Sequence, residues 1–181
     1  MQSRQFTYLG EPLKAANRQL NVAIRMLFDR ADPIAVHTLI GAASNILSDL
    51  MMIKAPEKSW DKIAMDANKL ALSDYFKVMR APQNFFKHAR DDHTSTLDFN
   101  PCDTEALAFW ATMNASELAP LSIEAQVYQL WYIAARSPYK NPEETPLREA
   151  IQLFGDLRPH PHITRLQAGK SVLARELQHY D

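Results

Sequence analysis

Apolar residues recur at intervals of three and four along most of the chain, and most of the breaks between these stretches fall at proline. After Pro12, the residues Leu13, Ala16, Leu20, Ala23, Ile24 and Leu27 form one stripe, which predicts a helix over about 12–29. Asp32-Pro33 then reads as an N-cap followed by proline at the first helical position. A second helix follows, with Val36, Ile40, Ala43, Leu47, Leu50 and Ile53 in register. Beside that stripe lie His37, Gly41, Ser44 and Ser48, mostly small, so that another helix has room to approach closely. Two helices joined by so short a turn form an antiparallel hairpin.

Further along, Trp60, Ile63, Ala67, Leu70, Ala71 and Val78 predict a third helix that ends near Met79, because Pro82 disfavours the α conformation at Ala81. Pro82 then opens a short fourth helix holding Gln83 to Arg90; a kink in one long helix is the alternative. The polar run Asp91 to Pro101 reads as an extended connection. Asp103 or Thr104 caps a fifth helix carrying Leu107, Trp110, Ala111 and Leu118, which Pro120 closes, and Ser122 begins a sixth that reaches Arg136. Thr145-Pro146 supplies a cap and first residue for a seventh helix ending at Gly155, and a weaker eighth with Gly169 inside it runs to about His179. The expectation is a single all-α domain over 1–181, a bundle of about seven to eight helices built on the N-terminal hairpin.

Composition agrees with that picture. Only four of the 181 residues are glycine, too few for the many tight turns of a strand-rich fold. With 20 basic and 21 acidic residues the net charge is −1, so no overall field draws in nucleic acid, and any such contact has to be local. Cys102 is the lone cysteine, which excludes an intrachain disulfide. The most apolar stretch, Ile34 to Leu47, is interrupted by His37, Thr38, Ser44 and Asn45, and the expected setting is cytoplasmic, with no membrane partner.

Chemistry concentrates in one segment. Asn84 and His88, four residues apart, share a face near the start of the proposed short helix, where free amides and the positive end of the dipole favour a phosphate. Lys87, Arg90 and Arg80 add positive charge beside Gln83, and Asp92, another four residues on, orients the His88 imidazole if the helix continues that far. The plainer alternative packs Phe85 and Phe86 inward and leaves His88 on a solvated face.

The hairpin FDRADPIAVHTLIGAASNILSDLM (28–51), the long helix after it and the run QNFFKHARDD (83–92) resemble the HEPN superfamily of helical domains. The resemblance covers about 11–92 and leaves 103–181 as a C-terminal helical extension. It implies that His88 is the motif histidine and Asn84 the polar residue that follows the motif arginine. Gln83 stands where that arginine belongs, and Arg80 is separated from His88 by seven residues, outside the usual spacing. Asn45 occupies a position that is acidic in many relatives.

Active members of the superfamily are homodimers in which arginine and histidine from two subunits meet and cleave RNA without metal or cofactor. Histidine assists the ribose 2′-hydroxyl, and arginine stabilises the phosphate. Glutamine cannot supply that charge. Either Arg80 or Arg90 substitutes, or the chain is a non-catalytic relative that binds RNA, a nucleotide or a partner.

Other patterns are weaker. Gly169-Lys170-Ser171 imitates the end of a phosphate-binding loop, but Thr164 stands where that motif needs glycine. His88, Asp91, Asp92 and His93, or His160 and His162, do not make a complete ligand set with the distant Cys102, and no metal is expected. His37 reads as a packed histidine, and Trp110, Tyr128, Trp131 and Tyr132 as core or interface residues. Two functions remain open: a HEPN-like RNA- or nucleotide-phosphate-binding protein, with or without ribonuclease activity at His88, and a non-catalytic helical interaction or dimerisation module.

Overall fold

In the computed structural model, residues 10–87, 94–138, 141 and 143–179 are described. Helix α1 (Pro12–Phe28) buries Ala16, Leu20, Ala23, Ile24, Leu27 and Phe28, the stripe that the spacing marks out. Helix α2 (Pro33–Lys54) starts as expected, with the Asp32 carboxylate accepting from the amides of Ile34 and Ala35 at 3.0 Å each. The two pack against each other as the predicted hairpin, and α5 (Pro101–Leu118) also packs along α2. By length and composition α2 would also suffice to cross a membrane; in this fold half of its most apolar window is buried inside the protein.

The chain is short of glycine even where glycine is usual. Helix α1 ends with Ala31 N–H bonded to Met26 C=O and Arg30 N–H to Leu27 C=O, and α3 (Trp60–Asn68) ends with Leu70 N–H on Met65 C=O and Lys69 N–H on Asp66 C=O. Both are Schellman motifs, whose left-handed position normally takes glycine. Here Arg30 (φ 58°) and Lys69 (φ 55°) occupy it.

The break at Lys69 overturns the expected helix boundaries. No helix runs from 60 to 79; α3 stops at Asn68, and α4 (Leu72–Lys87) passes straight through Pro82. Proline withholds the amide that Val78 C=O would accept, but Val78 and Ala81 lie on the surface, where water can replace it. Buried anchors on both sides, Tyr75 before the proline and Gln83 after it, hold the helix to α2 and α3. The small-residue stripe of α2 makes this approach possible. A Cβ on Gly41 would stand 2.7 Å from Gln83 Cδ, and Ser44 and Ser48 are buried alongside.

Helix α5 starts earlier than expected: Asn100, not Asp103 or Thr104, caps it by accepting from Cys102 N–H (3.0 Å), with Pro101 as first residue. Helix α6 (Ile123–Arg136) begins at the expected Ser122 cap. Helix α7 (Leu147–Phe154) has Pro146 itself at the cap position, one residue later than the sequence suggests, and ends at Gly155. Helix α8 (His162–Gln178) closes the bundle against α1 and α6. Among the described residues there are eight α-helices, one short 3₁₀ turn (Pro56–Lys58) and no strand, the all-helical bundle that the periodicity predicts. Trp131 and Tyr128 are fully buried at its centre, and Phe109 stacks on Tyr132 with ring centres 4.4 Å apart.

Candidate functional site

The segment expected to bind phosphate is built differently from the expectation. Because α4 starts at Leu72, its unpaired amides lie far from Asn84, and the helix-start anion site proposed for Asn84 does not form. Gln83, expected beside the phosphate, is 1% exposed and turned into the α2 interface. Its amide contacts that of Asn45 (2.7 Å), and its carbonyl oxygen accepts from the Lys87 ammonium (2.7 Å). Arg80 lies 4.3 Å over the Phe76 ring and 3.6 Å from the Asp49 carboxylate, a half-exposed pairing that competes little with another anion. Asn84 and Lys87 are exposed. His88, Arg90 and Asp92, like Asp91 and His93, lie outside the described residues.

Beneath α4 is a buried polar cluster that sequence reasoning missed. The Asp61 carboxylate accepts from Ser48 Oγ (2.7 Å), Tyr75 OH (2.8 Å) and Asn114 Nδ2 (2.8 Å), so one side chain of α3 ties together α2, α4 and α5. Asn114 Oδ1 in turn accepts from Trp60 N–H (3.1 Å). Burial, with the neighbouring Asp61 charge adding to it, pushes the Tyr75 hydroxyl well above its usual range, so the phenol stays a donor.

A second centre, also missed, forms where the starts of α5 and α8 meet. Glu105, 2% exposed, is gripped by Arg136 Nη2 (2.8 Å) and His162 Nε2 (2.5 Å). A carboxylate can only accept, so Nε2 carries the proton in that bond. Arg136 Nη2 also reaches Cys102 Sγ (3.2 Å), and Tyr128 OH donates to Glu105 C=O (2.8 Å). Glu105 and His162 face a cavity of about 280 Å³ bounded by the α1–α2 turn, α5 and α8. A signal was present: Glu105 lies three residues before Ala108 on the buried side of α5, and an acid among apolar neighbours requires a partner. Its histidine partner, 57 residues away, follows no spacing rule. Among the described residues no three His, Cys, Asp or Glu side chains converge as a metal site.

His37 is a packed histidine, as expected. It is 2% exposed, its Nδ1 lies 2.9 Å from Thr104 Oγ1, and the rings of Phe86 and Phe99 meet it edge-on. Its Nε2 has no partner among the described residues. Burial lowers its pKa from the ordinary 6.5, with the nearby Asp103 charge opposing. The unfolded chain therefore takes up this proton more readily than the folded one. The stability that neutral His37 contributes is present above about pH 6.5 and is lost as pH falls from there through the lower folded value. Thermal unfolding followed from about pH 8 to pH 5 should show this loss. His37→Asn should flatten it, whatever the variant's overall stability; an unchanged slope would assign it to other groups.

Compared with protein-family models, with curated proteins and with solved structures, the chain gives no match.

Proposed function

We propose that the protein is a HEPN-like homodimeric binding module that meets the phosphates of RNA or a nucleotide along one flank of α4, beside its contact with α2. The observation that carries this reading is an alignment. Lys77, Arg80, Asn84 and Lys87 succeed one another at intervals of three, four and three residues, which puts them on one side of the helix. Three cations and an amide along about 15 Å of helix suit a phosphate chain better than a single enclosed phosphate. The local charge answers the requirement set by a net charge of −1. His88 continues the same spacing in the sequence, four residues beyond Asn84, and is the residue that would make the module a metal-independent ribonuclease.

Fluorescence anisotropy with mixed-sequence single-stranded RNA at low salt tests the binding. The double reversal Lys77→Glu/Lys87→Glu is expected to weaken it by about tenfold or more, and added salt to weaken the wild type. No binding by the wild type would sink the reading. Cleavage that persists with chelator and disappears in His88→Ala would assign catalysis, whereas binding without cleavage leaves a non-catalytic binder.

The second reading, an interaction or dimerisation module without phosphate binding, is favoured by a different observation. Ile53, Ile63, Leu72 and Val78 are all exposed, and Ile53 and Val78 are 78% and 69% exposed. This density of surface apolar groups along α2, α3 and α4 suits a protein contact. Sedimentation should show a dimer that Val78→Glu dissociates; a dimer that binds no RNA would favour this second reading over the first.

A further inference from the structure

We propose that the cavity between the α1–α2 turn and the starts of α5 and α8 is a binding site for a small carboxylate with an apolar body. The cavity is independent of the α4 surface. Its volume is about 280 Å³, and its walls are largely apolar: Leu27, Val36, Pro101, Ile163 and Leu166 among them. A dry cavity of about 150 Å³ suffices for benzene, so the space accommodates a ring or medium alkyl chain with a polar head. A largely apolar pocket with few polar groups is the usual form of a small-molecule site.

The charged groups decide the sign of that head. Three side chains with ionisable groups line the cavity: Arg30, Glu105 and His162. Glu105 is already compensated, since Arg136 and His162 both hold its carboxylate. Arg30 is exposed at the rim and has no ion-pair partner among the described residues, which leaves a fork of N–H donors whose natural complement is a carboxylate. The end of α8 adds to the same polarity. It begins without a capping side chain, and its first residues, His162 and Ile163, line the cavity. Arg30 also holds the left-handed position of a Schellman motif, where glycine would be the easier choice, so its side chain stands at the mouth at a conformational cost that no ion pair among the described residues offsets.

The test uses the full chain and three probes of one shape: phenylacetate, phenylacetamide and phenethylamine. Saturation-transfer NMR and calorimetric titration should show saturable binding of phenylacetate, with the amide and the amine weaker by about tenfold or more. Two variants locate the site. Arg30→Asn removes the charge but tolerates the left-handed backbone. Ile163→Glu places a negative charge at the mouth, at a helix start where an acid is stabilising, so lost binding does not reflect a lost fold. Each should weaken phenylacetate by about tenfold or more, with thermal unfolding of the Glu variant unchanged or raised. Absence of binding by any probe, equal or tighter binding of the amine, or phenylacetate affinity untouched in both variants would each overturn the proposal.

Discussion

Asp61→Ala is expected to lower the unfolding free energy by about 3–4 kcal/mol, a large part of what a domain of this size possesses. Asp61 is 6% exposed and accepts three hydrogen bonds from Ser48, Tyr75 and Asn114, which are themselves almost completely buried. Alanine removes every acceptor at once and leaves a hydroxyl, a phenol and an amide N–H out of reach of water, each costing about 1–3 kcal/mol before any relaxation. Ser48→Ala takes away one donor and leaves two, so its cost should be nearer 1 kcal/mol. Asp61→Asn keeps one oxygen but turns an NH₂ toward donors, and an intermediate loss is expected. Urea denaturation of the three variants gives the ranking. An Ala variant within about 1 kcal/mol of wild type would show that water enters and satisfies the cluster.

The consequence reaches the surface proposed to bind phosphate. Tyr75 and Gln83 are the buried anchors of α4, and Tyr75 is held through Asp61. Partial detachment of α4 in the alanine variant would misplace Lys77 and Arg80 without altering either residue.

How far the sequence is legible depends on where the deciding interaction lies. Caps at Asp32 and Ser122, the stripe of α1 and the C-terminal Gly155 are local, set by groups within a few residues, and all can be read directly. The boundary between α3 and α4 cannot, because it rests on two tertiary facts. Lys69 accepts a left-handed conformation that its residue type disfavours, and α4 continues through Pro82 because Tyr75 and Gln83 are anchored on either side of it. A proline rule weighs only local preference, so it puts the break at the strongest local signal. The candidate site depends on that boundary: with a helix start at Pro82, Asn84 would face free amides, and without one it lies on the exposed side of a continuous helix. Gln83 shows the complementary failure. Its place at the motif arginine position marks it as a ligand-facing residue, whereas its position against Gly41 makes it a buried bridge to Asn45.

Gly169→Ala is the second large effect, and its sign opposes what the sequence alone suggests. Gly169 lies inside α8, where alanine would be favoured by about 1 kcal/mol on helix propensity, and the glycine is the reason the helix reads as weak. In the fold, a Cβ at this position would stand 2.3 Å from Phe28 Cε1 and 2.6 Å from Cζ. Phe28 cannot turn aside easily, because its ring is 2% exposed and set against Trp131 (5.3 Å) and Tyr128 (5.9 Å). Either α8 moves away from α1 or the aromatic cluster is displaced, and overpacking of this kind costs about 1–3 kcal/mol, enough to outweigh the propensity gain. Phe28→Ala alone should cost about 3–5 kcal/mol by opening a cavity beside those rings. In the double variant the added methyl meets empty space instead of a ring edge, so Gly169→Ala should become neutral or stabilising there. A double-mutant cycle in urea therefore should show coupling of about 2 kcal/mol or more between the two positions. Simple additivity would mean that α8 adjusts without feeling Phe28, and that the close approach of α1 and α8 is not what selects glycine.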